Sequence, residues 1–79
     1  TTTLPMPKKQ KDIIEYIVCC VSEFSRLHQL TQRQAYAYLR QYRAIDFLQQ
    51  HYDIEHTFSI DDTIDDIRRV CQYNGGQIS

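Results

Sequence analysis

The sequence predicts an all-α fold, a small bundle of three to four helices with an extended segment before the last one. Three observations carry that expectation. Apolar residues recur every three or four positions over most of the chain. Thr31 and Ser59 each mark a helix start. Only two glycines and two prolines occur, and 42% of the residues are hydrophobic, which argues against disorder. The length of 79 residues suits a single domain near the lower size limit for an independent core. Residues 1–9 read as a flexible lead-in and residues 10–79 as one helical domain.

The first helix is expected over residues 10–28. Ile13, Ile17, Cys20, Phe24 and Leu27 form its stripe, and Ile14, Val18 and Val21 widen it. A stripe this broad predicts a central helix, touched on more than one side. Thr31 with Gln34 three residues later has the pattern of a capping box. The second helix is expected over about residues 32–41, with Ala35, Tyr38, Leu39 and Tyr42 inward and Arg33, Tyr36 and Arg40 outward. Ala44, Ile45, Phe47, Leu48 and His51 start a new phase, so a break near Tyr42 and Arg43 is expected. No glycine or proline marks it, and one long helix remains open. Tyr52 to Phe58 mixes β-branched and aromatic residues and reads as extended. Ser59 then caps the last helix, where Ile60, Ile64, Ile67 and Cys71 make a one-sided stripe. Asn74, Gly75 and Gly76 stop it.

Charge is unevenly placed although the net charge is -1. Lys8, Lys9 and Lys11 crowd the start. Asp53, Glu55, Asp61, Asp62, Asp65 and Asp66 fall in a span without Lys or Arg. Three cysteines at Cys19, Cys20 and Cys71 give no disulfide framework and suit a reducing cytosol, so a cytoplasmic location is expected. No apolar run reaches the roughly 18 residues of a membrane span.

No catalytic centre or cofactor is expected. Cys19 or Cys20 lies about 12–14 Å from His28 along one helix, too far for proton transfer. No glycine-rich loop is present to cradle a phosphate. His51, Asp53, His56 and Cys71 are good metal-ligand types, but they lack recurring zinc spacing, and no metal is expected. The paired aspartates also lack the glycine and closing glutamate of a calcium loop. A helix-turn-helix reading of residues 31–51 would offer Gln32, Arg33, Gln34, Arg40 and Arg43 to DNA. Three arginines beside Asp46 do not make a basic face, which disfavours nucleic acid.

The acidic cluster is the candidate site. Asp61 with Asp65, and Asp62 with Asp66, are like-charged i,i+4 pairs, each destabilising by about 0.2–0.5 kcal/mol. Pairing of Asp65 with Arg69 is expected to relieve part of this. A plain solvated helix start is one reading. The other is a surface that steers and docks a basic partner. Tyr36, Tyr52, Phe58 and Tyr73 can supply the aromatic anchors that interfaces favour, if several are exposed.

Ile14-Glu15-Tyr16-Ile17-Val18, Tyr36, the segment Ala44 to Leu48, the stretch His51-Tyr52-Asp53-Ile54-Glu55-His56-Thr57 and Asp65-Asp66-Ile67 together resemble a bacterial family of small domains of unknown function. The resemblance covers about residues 12–72, and its most specific part is Tyr-Asp-x-x-His-Thr at residues 52–57. It implies a gene neighbour similar to ADP-ribosyltransferases, in a toxin–antitoxin-like pair. The leading expectation is therefore a non-catalytic protein-interaction domain with an accessory or neutralising role. Tyr52, Asp53, His56, Asp61, Asp62, Asp65 and Asp66 are its expected partner-binding residues. A DNA-binding regulator and a self-associating domain, as a homodimer, are the alternatives.

Overall fold

Five helices follow one another in the computed structural model, which describes residues 8–77. They are α1 (Lys8–His28), α2 (Gln32–Gln41), α3 (Ala44–Gln50), α4 (Tyr52–Glu55) and α5 (Ile60–Tyr73). No strand occurs among the described residues. The all-α bundle read from periodicity is the observed architecture. α1 and α3 pack against each other and between the flanking α2 and α5. Phe24, Leu39, Leu48, Ile64 and Ile67 are fully buried where these helices meet. Burying each such side chain stabilises the fold by about 1.5–3 kcal/mol before chain entropy is counted.

Both start signals act as read. Thr31 Oγ1 accepts from the Gln34 amide at 3.0 Å, and the Gln34 side chain accepts from the Thr31 amide at 3.0 Å. Ser59 Oγ accepts from the Asp62 amide at 3.2 Å. The stop at α5 is a Schellman turn. The Gly76 amide donates to the Cys71 carbonyl at 2.7 Å, the Gly75 amide donates to Gln72 at 3.1 Å, and Gly75 has φ 102°. A Cβ at Gly76 would run into the Tyr38 hydroxyl and touch the Cys71 carbonyl at 3.0 Å, so a side chain there requires the Tyr38 ring to move.

Four expectations are corrected. Residues 52–58 are not extended, because Tyr52 to Glu55 close a helical turn. Glu55 donates its amide to His51 at 2.8 Å and His56 donates to Tyr52 at 3.0 Å. With no strand beside it, the β propensity of Tyr52 and Ile54 has nothing to pair with, and local bonds win. The first helix begins two residues early, at Lys8; residues 1–7 of the expected lead-in lie outside the described residues. Leu27, Ile14 and Val18 are exposed rather than enclosed in the bundle. Asp65 pairs with Arg68 at 2.9 Å, and Arg69 instead faces Asp66 at 3.6 Å. Both are i,i+3 pairs, which the helix surface accommodates as well as i,i+4.

Candidate protein-docking surfaces

The broad stripe of α1 has more apolar surface than the bundle covers. Ile17 and Val21 turn inward, while Ile14 and Val18 stay 45% and 55% exposed. α2 runs beside them with Tyr36 41% exposed, and α3 adds buried Ile45 and exposed Gln49. Together with Gln32 and Arg33 these residues line an open groove of about 480 Å³. Its floor is aliphatic and its rim is polar, the arrangement of a recognition surface. Gln32 is fixed by donating from Nε2 to Ser22 Oγ at 2.8 Å. Arg33 is the one charged residue lining the groove among the described residues, and no hydrogen bond or ion pair ties its guanidinium to any of them.

A second, shallower hollow of about 260 Å³ lies on α5. Asp62, Asp65, Asp66, Arg69 and the half-exposed ring of Phe58 line it. Three of the four expected aspartates therefore converge, and an exposed ring adjoins them. Asp61 points elsewhere and is not part of the hollow, and Asp65 and Asp66 are engaged by Arg68 and Arg69.

Tyr52, Asp53 and His56 do not join that hollow. The Tyr52 ring meets Tyr16 edge-on at 5.4 Å and stacks on His56 at 4.5 Å. His56 Nδ1 lies 2.6 Å from the Tyr52 carbonyl, which can only accept, so Nδ1 carries the proton. Thr57 Oγ1 donates to the Ile54 carbonyl at 2.6 Å. Asp53 pairs with Lys9 at 3.1 Å. Two carbonyls of the α4 turn thus gain side-chain donors, and this stretch orders the turn and ties it to α1.

Beneath α4 lies a buried polar cluster that periodicity did not reveal. Thr63 Oγ1 donates to the Glu55 carbonyl at 3.3 Å. Its proton being used there, the Tyr16 hydroxyl donates to Thr63 Oγ1 at 3.0 Å. Thr63 lies one turn before Ile67 on the same face of α5, a spacing that could have marked it. Glu55, a residue only 4% exposed, carried no such signal. Burial first, then the neighbouring Asp66 carboxylate, push it up to about 7. Glu55 Oε1 has no partner.

The buried thiols are chemically quiet. Burial pushes Cys20 up to about 12 and Cys71 up to about 11, so both stay protonated near neutral pH. Cys71 packs as a small hydrophobe in the core. His28 accepts from Arg68 Nε at 3.2 Å and packs on Phe24 at 4.4 Å. Burial and the Arg68 charge hold it below the usual histidine range. No three His, Cys, Asp or Glu side chains gather at a metal-sized site among the described residues. No helix there is long and apolar enough to cross a membrane.

An all-α domain with an open aliphatic groove and a separate acidic hollow belongs, on its geometry, among small helical modules. Residues 15–74 match the family described as "Protein of unknown function (DUF3791)", and the chain belongs to that family. No curated protein and no solved structure matches it.

Proposed function

We propose that this protein is a non-catalytic, cytoplasmic docking domain that binds another protein through the α1–α2–α3 groove. The observation that carries this reading is the exposure of Ile14, Val18 and Tyr36 over a floor of Ile17, Val21 and Ile45. A core this small has little apolar surface to leave uncovered without a use for it. The acidic hollow beside Phe58 serves as a second contact, where Asp62 and Asp65 meet basic groups of the partner. Tyr52, Asp53 and His56 act by holding α4, which leads into that hollow.

The resemblance of residues 51–57 and 65–67 to toxin–antitoxin-like domains suggests the partner's class. It is an ADP-ribosyltransferase-like protein, and docking would cover its substrate site. The test is co-expression with the ADP-ribosyltransferase-like product of a neighbouring gene, followed by calorimetric titration and a transferase assay. Val18→Asp puts a charge into the apolar groove and is expected to weaken the complex at least about 30-fold, the loss of a hot-spot contact of about 2 kcal/mol. Inhibition of the transferase should fall with it. Unchanged affinity of the Val18→Asp protein would remove the groove from the interface.

A further inference from the structure

Resting on that reading, we propose that the occupant of the groove is an amphipathic α-helix with acidic flanks, its carboxylates set opposite Arg33 and Arg40. The described residues present no strand edge, so a partner backbone has no ladder to extend. A trough walled by α1 and α2 instead offers the ridges between which a further helix packs. Ile14, Val18 and Val21 span eight residues of α1, about 10 Å along its axis. That length takes two turns of a ligand helix, with apolar anchors at i, i+3 or i+4, and i+7.

The charge of the flank follows from α2. Arg33 lines the groove, and Arg40 lies seven residues on, along the same exposed face as Tyr36. No ion pair engages either one among the described residues. α2 contains no acid. Glu15 on α1 and Asp46 on α3 stand near the rim in sequence but do not line the groove. A lysine-flanked helix would meet these two guanidinium groups directly, whereas a glutamate-flanked helix would neutralise them. A second copy of this chain fits less well. A two-fold contact centred on the groove would set the Arg33 groups of two copies near its axis with no acid in the lining to offset them, and a head-to-tail contact leaves a groove unpaired unless it closes a ring.

The full chain is titrated with three end-capped peptides of about 18 residues, long enough to form helix. They share one leucine face and differ only in flanks of Glu, Gln or Lys. Fluorescence anisotropy is expected to rank them Glu, Gln, Lys, with at least about tenfold between the extremes. Arg33→Glu, which leaves Arg40 in place, should erase the preference between the Glu and Lys peptides, and Val18→Asp should remove binding of all three. Both positions are solvent-facing, and far-UV circular dichroism verifies that the variants keep their helices. Equal binding of the three peptides, lost in Val18→Asp, overturns the acidic helix while leaving a groove that docks proteins. No binding to the native chain overturns both. A concentration-dependent dimer in sedimentation that Val18→Asp dissociates makes a second copy the occupant and overturns the proposal.

Discussion

Glu55 places a carboxyl group under α4, where Asp66 faces it from α5 and Tyr16 and Cys20 face it from α1. Burial also pushes Tyr16 up to about 12, so both α1 groups are neutral at ordinary pH and Asp66 is the charge that matters. Keeping Glu55 protonated lets two acids share one small space. Glu55 has an ordinary value of 4.5 and is raised to about 7, so the folded chain holds this proton more tightly than the unfolded chain does. Stability from this group is therefore complete in acid and falls as pH rises between those two values, by about 3 kcal/mol. His28 acts in the opposite sense, since its lowered value makes acid unfavourable. Glu55→Gln keeps the shape and removes the ionisable group beside Asp66. It is expected to match the native protein near pH 4.5 and to exceed its stability by about 1–3 kcal/mol at pH 8. Urea unfolding at both pH values measures this, and because His28 is common to both proteins it cancels in the difference. Parallel pH profiles of the two proteins would show that Glu55 is not the titrating group.

The helices end in two different ways, and only one of them can be read from residue types. α5 stops at Gly75, whose left-handed φ of 102° costs glycine nothing. α1 and α2 stop by the same left-handed turn, but at Gln29 with φ 55° and Arg43 with φ 70°. Leu30 donates its amide to Ser25 at 2.9 Å and Arg43 donates to Arg40 at 3.2 Å, so the Schellman-type bonds form around side chains that disfavour them. This is why the break between α2 and α3 was visible only as a change of apolar phase and could not be separated from one continuous helix. Arg43→Gly removes the Cβ strain and is expected to stabilise the fold by up to about 1 kcal/mol, after the added freedom of the unfolded chain is subtracted. Thermal unfolding should show a rise of a few degrees; a clear fall would mean that the Arg43 side chain holds the junction. The caps at Thr31 and Ser59, the stripe on α2 and that of α5 from Ile64 to Cys71 were legible because each is a local pattern, whereas Ile60, read into the same stripe, stays exposed. The turn at α4 was not, because Tyr52 and Ile54 carry β propensity and their helical state depends on His56 and Thr57 bonding the carbonyls behind them. The groove was hidden inside a pattern read correctly as apolar. Ile14 and Val18 show helical phase, but no sequence period states how much of a stripe its neighbours will cover.

Across the whole molecule, charge is sorted by element. α2 carries Arg33 and Arg40 without an acid, and Arg43 follows it, while the first turns of α5 carry Asp61, Asp62, Asp65 and Asp66 before the first arginine. α1 and α3 lie between these two helices, so a molecule with net charge -1 has a positive flank and a negative flank. The net charge conceals this, and a partner with one basic and one acidic surface would be oriented before contact. The acidic flank can be tested apart from the groove. Asp62→Asn with Asp65→Asn removes two charges from the hollow and leaves Val18 and Tyr36 untouched. Both side chains are exposed, and the pair from Asp65 to Arg68 is 55% open on the acid side, so little stability is at stake, about 0–1 kcal/mol. The double variant should associate with the proposed partner more slowly, by about tenfold at low salt, with dissociation much less affected. Its association rate should also depend less on ionic strength, since screening acts on charges that are no longer there. Stopped-flow association at low and physiological salt reads both effects. If rate and salt dependence match those of the native chain, the α5 aspartates are a solvated helix start and the groove alone makes the interface.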